Sequence, residues 1–277
     1  MFPPMDFDFS QIAVPFRMQP GLRRLVLGER QLTRLDPESI LCAEKRLVHQ
    51  HERSRYMVPG FDPRPALEAI LDKAHTDLPA DAFSPEIPLE LAFEEDLAVL
   101  DGDTTTLPWL CVCVPSHWAP EDKLGLSFAA VHAPVADNAA LLAAGAKLVQ
   151  LVTAGGCWER FIWTVTPSPR HDQHPSRHPR QPWPQATNDG EFAAQCFLRA
   201  ERQTFFPVGR GTRQAVFTIR VMLRPLVHVV ATREQAQGLH DSLASMSDAV
   251  LAYKGLAPAR EPLLRWLQGL ARDLNEP

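Results

Sequence analysis

Residues 196–223, with the sequence CFLRAERQTFFPVGRGTRQAVFTIRVML, hold the pattern that decides the fold of this chain. Two runs rich in β-branched and aromatic residues flank a glycine-containing segment, which is typical of antiparallel strands joined by a turn. The pattern predicts strands over Cys196–Phe206 and Gln214–Leu223, with the turn at Gly209–Gly211. A long β-hairpin is therefore expected in the second half of the chain.

The first strand of this hairpin carries polar side chains on both faces. Because side chains alternate along a strand, Arg199, Glu201 and Gln203 share one face. Arg202 lies on the other face, and buried charges need ion-pair or hydrogen-bond partners. The pattern favours a solvated sheet face with cross-strand ion pairs. The alternative is a polar site in which Arg202, or Arg220 of the second strand, binds an anionic ligand.

Two further strands are predicted upstream of the hairpin, at Leu107–Val114 and Trp158–Thr166. Between them Pro120 opens a short helix, and Asp137 stands where an N-cap would begin a longer helix that ends near Thr153. Two strands, short helices and then three strands is the order of a PAS-like α+β domain. The spacing by itself supports an antiparallel sheet with inserted helices.

Helical patterns flank the predicted sheet at both ends of the chain. They are expected over residues 36–56, 65–78, 232–254 and 261–274. The division that follows is an N-terminal helical extension (1–89), a sheet core (90–226) and C-terminal helices that pack on the core (227–277), together forming one compact unit. The proline-rich residues 167–184 are expected to form an extended loop.

Composition and charge exclude several classes of partner. The 277 residues carry a formal net charge of −5, so no basic surface for nucleic acid or anionic lipid is expected. The first eleven residues include Asp6 and Asp8 where a signal peptide needs basic residues, and no run of about 20 apolar residues occurs. The five cysteines lack zinc-site spacing and suit a reducing compartment. We therefore expect a cytoplasmic protein that binds neither nucleic acid nor a membrane.

Several well-known motifs are absent from the sequence. It contains no dinucleotide-binding glycine fingerprint, P-loop, nucleophile elbow, HExxH, CxxC or CxxCH. We therefore do not expect NAD(P)H bound by a Rossmann turn, a four-cysteine iron–sulfur cluster or covalently attached haem.

The histidines are the remaining candidates for metal chemistry. Helical spacing places Phe128 one turn before His132, at the apolar end of the short helix. A histidine on an apolar helix face is usually a satisfied core residue, and the alternative is an axial metal or haem ligand. For His171, His174 and His178, exposure to solvent on the proline-rich loop is favoured over metal binding.

These stretches resemble the haem-dependent oxidative N-demethylase-like family, which includes the haem subunit of dimethylamine monooxygenase. The resemblance covers roughly residues 15–255, and its most specific part is the charged hairpin. The residues that carry it are Pro115-Ser116, Trp118, Lys123, Gly125, His132, Pro134-Val135, Arg160, Trp163, Arg199, Glu201-Arg202-Gln203-Thr204 and Phe217-Thr218-Ile219-Arg220.

The resemblance implies a PAS-fold core that holds haem b noncovalently in a monooxygenase. Such an enzyme uses dioxygen to remove a methyl group from a small N-methylated amine, giving the demethylated amine and formaldehyde. The multi-subunit members of the family suggest that electrons would come from partner reductase subunits that carry NAD(P)H and flavin or iron–sulfur sites. The absence of a nicotinamide or flavin motif in this chain is then expected. A haem-PAS sensor without turnover is the main alternative, and an interaction protein that has lost haem is another.

The resemblance also implies roles for particular residues. His132 would be the proximal ligand of the haem iron, with His117 as the second choice, and Lys123, Arg202 and Arg220 would contact the cofactor. Glu201 would orient or deprotonate the cationic amine. The family pattern is not matched at Ala136, Ile162 and Phe205-Phe206-Pro207, which leaves the identity of the amine open.

Overall fold

A computed structural model of the chain describes residues 7–26, 28–79, 84 and 86–274. It contains a seven-stranded antiparallel sheet with helices between and around the strands, which confirms the expected α+β class. The strands run across the sheet in the order β1-β5-β6-β7-β3-β4-β2. Their bounds are β1 Arg23–Arg24, β2 Arg55–Met57, β3 Asp96–Asp101, β4 Trp109–Cys111, β5 Trp158–Thr166, β6 Phe197–Pro207 and β7 Gln214–Pro225.

The helices lie before the sheet, between its strands and after it. Within the part of the chain that is described, no helix has both the length and the apolar character needed to cross a bilayer. The α-helices are α1 Ile40–Gln50, α2 Arg64–Asp77, α3 Leu89–Ala92, α4 Phe128–His132, α5 Ala139–Thr153, α6 Asp189–Ala194, α7 Leu226–Val229, α8 Arg233–Ala244, α9 Asp248–Lys254 and α10 Arg260–Asp273, with short 3₁₀ turns at Phe9–Gln11, Pro120–Asp122 and Ala257–Ala259.

The predicted hairpin is present as β6 and β7, which pair along their whole length. Its turn uses Gly209 and Gly211 at φ +67° and +77°, a backbone conformation that glycine adopts without steric cost. Two strands, β3 and β4, precede α4 and α5, and β5, β6 and β7 follow them. This is the chain order that the sequence analysis associated with a PAS-like sheet.

Several local predictions differ from the structure. The strand predicted over Leu107–Val114 is limited to β4, and the short helix predicted from Pro120 is a 3₁₀ turn followed by the separate helix α4 that carries His132. The first helix ends at Gln50 rather than residue 56, because β2 begins at Arg55 and pairs with β4. The helix predicted from Asp137 begins at Ala139, since Asp137 has φ +52° and lies outside the helix. A new N-cap at Ser247 divides the predicted 232–254 helix into α8 and α9. Strand β3 was missed because it is buried on both faces and shows no alternation.

The two faces of the sheet are covered by different parts of the chain. On the face that we call the α5 face, Phe128 of α4 and Val149 of α5 pack with Phe205. On the opposite α10 face, α2 packs over Phe206, while α8 and α10 pack over Leu198. Burial of these side chains supplies the main stabilisation, and truncating one large core residue to alanine typically costs about 2–5 kcal/mol.

A buried carboxyl lies directly before β3. Glu95 is 2% exposed, and its Oε2 accepts a hydrogen bond from the backbone N–H of Thr33 at 2.9 Å. Its Oε1 has no hydrogen-bond partner among the described residues. Burial raises the pKa of Glu95 to about 7 from an ordinary 4.5. Between these two pH values the folded protein therefore holds a proton that the unfolded chain has released.

We predict that the unfolding free energy of wild type, measured relative to that of Glu95→Gln, falls by about 3 kcal/mol as the pH rises from 4.5 to above 7, because the folded state must give up the proton of Glu95. The variant Glu95→Gln cannot ionise and should lack this loss. Urea unfolding of both proteins between pH 4.5 and 8 measures the difference, with Asp103→Asn as the exposed control. Parallel pH profiles for wild type and Glu95→Gln would contradict the prediction.

Candidate functional site

The imidazole of His132 is held in a defined orientation at the end of α4. Its Nδ1 lies 2.8 Å from the carbonyl oxygen of Phe128, and its ring packs on the Phe128 ring with centroids 4.1 Å apart. A carbonyl oxygen only accepts hydrogen bonds, so Nδ1 must carry the proton and Nε2 keeps its lone pair. No hydrogen bond to Nε2 is made by the described residues. Nε2 is therefore available as a metal ligand.

The surroundings of His132 favour its neutral form. Burial lowers the pKa of His132 below its ordinary value, and the hydrogen bond to Phe128 opposes that effect. The positive charges of Arg160 and Lys123 lower the pKa of His132 further. A neutral imidazole is the form that coordinates iron.

A continuous hydrogen-bonded chain of side chains crosses the α5 face. Arg160 Nε donates to Gln203 Oε1 at 2.7 Å, and Gln203 Nε2 donates to Glu201 Oε2 at 2.8 Å. The Ser116 hydroxyl donates to Glu201 Oε1 and accepts from Arg199 Nε, the latter at 2.8 Å. We call these five residues the Glu201 chain. It joins the loop after β4 to β5 and β6.

The two arginines of the Glu201 chain have different surroundings. Arg199 is 1% exposed and also donates to the backbone oxygens of His171 and Val114, at 2.8 and 3.1 Å, so it fastens two loops to β6. Arg160 has no carboxylate within ion-pair distance among the described residues, and its other hydrogen bond is a long one of 3.4 Å to the Pro20 oxygen. Burial lowers the pKa of Arg160, and the charge of Glu201 opposes this. Arg160 is thus a partly buried cation with capacity for a further anion.

Aromatic side chains on the α5 face are only partly covered, although they lie on central strands. Phe205 of β6 and Phe217 of β7 stack with centroids 4.6 Å apart, and both are half-buried. Trp118, which packs on the same face, is half-buried as well. Strand-centre residues on the α10 face, such as Leu198 and Val216, are fully buried. The α5 face therefore offers an apolar surface that its covering helices leave incompletely filled.

These features fit haem in their donor set and polarity. One neutral imidazole is available for the iron, aromatic rings can contact the porphyrin, and the partly buried guanidinium of Arg160 is available for a propionate. Within the described residues, no group of three or more His, Cys, Asp or Glu side chains could hold a bare metal ion. The site is therefore suited to a cofactor that brings its own equatorial ligands.

Arg202 and Arg220 do not face this site. They are register partners in β6 and β7, one position out of phase with Glu201, and so lie on the α10 face. Arg202 pairs with Glu159 at 2.7 Å and Arg220 pairs with Glu94 at 2.6 Å. The prediction that these two arginines contact the cofactor finds no support in this placement. The expected cross-strand ion pair is present between Arg202 and Glu159, but the expected solvated face is not, since Arg199 and Glu201 are 1% and 7% exposed.

His117 and Lys123 lie on the segment between β4 and α4. His117 has a left-handed backbone, with φ +58°, and its side chain lines a pocket at the far end of β5. Burial and the charges of Arg180 and Arg199 lower its pKa to about 4. In contrast to His132, His117 has no ring hydrogen bond to the described residues that would orient it. Lys123 lies close enough to His132 to affect its pKa.

Sequence reasoning missed several members of the site. Arg160 was named as a residue of the family resemblance, and nothing in the local pattern showed that it would lack a carboxylate partner among the described residues. The prediction that the histidines of the proline-rich loop are exposed to solvent was wrong for His174. This residue is 2% exposed, and its Nε2 lies 3.1 Å from Glu121 Oε1. That loop does lack regular secondary structure, as expected, but Arg199 and an ion pair of Asp172 with Arg177 tie it down.

One comparison with known proteins bears on the chain. A model of the family described as "Haem-dependent oxidative N-demethylase, alpha subunit-like" matches residues 61–264. The match spans more than half of the 277 residues and includes His132 and every member of the Glu201 chain.

We predict that Ser116→Ala lowers the unfolding free energy by about 1–3 kcal/mol, because the buried side chains of Glu201 and Arg199 each lose a hydrogen-bond partner. Ser176→Ala, at an exposed position of the proline-rich loop, is the matched control and should change stability by less than about 0.5 kcal/mol. Urea unfolding at pH 7 provides the measurement. Equal effects of the two substitutions would show that the Ser116 hydrogen bonds of the Glu201 chain do not contribute to the free energy of unfolding.

Proposed function

Because the chain belongs to the haem-dependent oxidative N-demethylase, alpha subunit-like family, we propose that it holds haem b noncovalently on the α5 face and demethylates a small N-methylated amine. The orientation of His132 supports this most directly. Its Nδ1 proton is committed to the Phe128 carbonyl, so Nε2 is the natural proximal ligand of the iron. His117, without such a hydrogen bond, is the weaker candidate.

Other residues of the α5 face would hold the porphyrin. Aromatic surface comes from Phe205, Phe217 and Trp118. Arg160 has no carboxylate partner among the described residues, and its charge would neutralise a propionate. Lys123 adds positive charge beside His132. We assign the propionate contact to Arg160 in place of Arg202 and Arg220, which already pair with glutamates on the other face.

Glu201 would bind the amine. Its carboxylate is 7% exposed, is held by Ser116 and Gln203, and has no ion pair with a described residue. Small methylated amines are cations at neutral pH, so a buried carboxylate attracts and orients them. Glu201 can also accept the ammonium proton, which must leave before the nitrogen lone pair becomes available.

When bound, haem would supply the activation of dioxygen that oxidation of an N-methyl carbon requires. One dioxygen, two electrons and two protons per methyl group give the demethylated amine, formaldehyde and water. The family name describes an alpha subunit, which implies other subunits in the system. We propose that these include a reductase with NAD(P)H and flavin or iron–sulfur sites, and that the enzyme works in the cytoplasm.

The flanking segments would belong to the same functional unit as the core. Residues 90–226 supply five of the seven strands and His132, while residues 1–89 add the edge strands β1 and β2. Helix α2 from the N-terminal segment and α8 and α10 from the C-terminal segment complete the α10 face. We therefore propose that residues 1–89, 90–226 and 227–277 fold as one compact unit.

We predict that purified wild-type protein shows the Soret band of a b-type haem and that His132→Ala abolishes or strongly weakens this band, because the iron loses its protein ligand. His117→Ala should leave the band largely intact. Absorption spectra of the oxidised and reduced proteins provide the measurement. Loss of ligation in His117→Ala but not in His132→Ala would reverse the assignment, and colourless wild-type protein after haem addition would remove the proposed cofactor.

We predict that Glu201→Gln lowers the rate of formaldehyde release roughly 100-fold or more while the haem spectrum is unchanged, because the amide keeps the shape of the side chain but not its charge or basicity. Glu38→Gln, at an exposed position of the N-terminal segment, is the control. The assay uses methylated amines with a chemical electron donor. Stable oxygen binding without formaldehyde release in wild type would instead favour a sensor.

A further inference from the structure

A second polar pocket lies at the end of β5, where the strand leads into the proline-rich loop. Its walls include Thr164 and Ser168, the side chains of His117 and Arg180, and Lys254 at the end of α9. Three of these residues carry or can carry positive charge. The lining contains no aspartate or glutamate. The pocket therefore has the composition of an anion site rather than that of a structural ion-pair cluster.

The cation Arg180 lines the pocket without a carboxylate partner among the described residues. Its side chain is exposed, and its guanidinium lies over Gly255, which has φ +68°. A Cβ at Gly255 would stand 2.6 Å from Arg180 Nη1, the mobile end of that side chain. Arg180 has no hydrogen bond or ion pair with any other residue in the described ranges, and its planar fork can receive both oxygens of one carboxylate.

Two further groups face the same space with donors to spare. Lys254 Nζ donates to the Trp163 carbonyl at 2.7 Å, which leaves other ammonium hydrogens. Burial lowers the pKa of Lys254 to about 8, so it is mostly charged at pH 7. His117 is held with a left-handed backbone that is costly for a non-glycine residue, and such strain is concentrated at functional sites.

The pocket adjoins the proposed amine site. His117 follows Ser116, the hydroxyl donor to Glu201. Between β5 and β6, Thr164 pairs with Arg199 and Ile162 pairs with Glu201. The two pairs lie on the same face of the sheet and are two residues apart, which is about 7 Å along the strand. The charge of Glu201 also acts on Lys254. An anion bound by Arg180 and Lys254 would thus lie near a cation bound by Glu201.

We propose that the pocket lined by Arg180, Lys254 and His117 binds a carboxylate that belongs to a ligand of the Glu201 site. Two ligands can bring this group: an N-methylated amino acid, whose ammonium would contact Glu201, or haem, through one of its propionates. The inference rests on the proposed function for the identity of the ligand, but not for the binding of the anion itself.

The first arm of the test measures substrate carboxylates. Dimethylglycine and dimethylamine are titrated into purified protein while the fluorescence of tryptophan, including Trp183 in the pocket wall, is recorded. If the carboxylate belongs to the substrate, dimethylglycine binds more tightly than dimethylamine, and Arg180→Gln weakens dimethylglycine roughly tenfold or more without affecting dimethylamine. Arg265→Gln, an exposed arginine that pairs with Asp189, is the matched control.

The second arm measures the propionate. Transfer of haem from the protein to apomyoglobin is followed for wild type, Arg180→Gln and Lys254→Gln, and again after reconstitution with haem dimethyl ester. If a propionate occupies the pocket, both substitutions accelerate the loss of haem roughly tenfold or more, and esterification removes the difference.

Behaviour of Arg180→Gln like that of wild type in both arms would overturn the proposal. Failure of the proposed function is a separate outcome, because it is shown by an absent or His132-independent Soret band. The fluorescence titration with dimethylglycine requires no haem and can still report the anion site in that case.

Discussion

The arrangement of polar side chains on the α5 face follows from the free-energy cost of burying charge. Arg199 and Glu201 are buried in the sheet, where an unpaired ion would cost several kcal/mol, and Arg160 is partly buried beside them. The Glu201 chain offsets this cost by linking the three charges through the amide of Gln203 and the hydroxyl of Ser116. Because each side chain in the Glu201 chain depends on a hydrogen bond to the next one, the Glu201 chain fixes the relative positions of β5, β6 and the loop after β4. A polar site of defined geometry follows from this mutual requirement.

The two faces of the hairpin differ in whether their charged side chains form ion pairs. On the α10 face Arg202 and Arg220 are paired with glutamates, and large apolar side chains are buried beneath α2 and α10. On the α5 face the carboxylate of Glu201 and the guanidinium of Arg160 have hydrogen bonds but no ion pair with the described residues. The unequal pairing of similar charges on two faces of the same strands is the structural reason for placing the site on the α5 face.

Much of this arrangement could be predicted from local sequence. Alternation along residues 196–223 gave the hairpin and separated Glu201 from Arg202, and the spacing of Phe128 and His132 gave the hydrogen-bonded helical pair. The family resemblance was correct over residues 61–264. Alternation cannot say which face the inserted helices cover, so Arg202 and Arg220 were assigned to the cofactor. The unpaired state of Arg160 and the approach of Arg180 to Gly255 depend on contacts between distant segments, which no local pattern records.

The central claim is that iron binds on the α5 face through Nε2 of His132. An anomalous difference map at the iron edge, from crystals of the haem-loaded protein, tests it most directly. The account predicts a single iron peak in bonding contact with His132 Nε2, with Phe205 and Phe217 against the porphyrin and Glu201 on the same side of the sheet. An iron peak bonded to His117, or one on the α10 face beside Arg202 and Arg220, would contradict it.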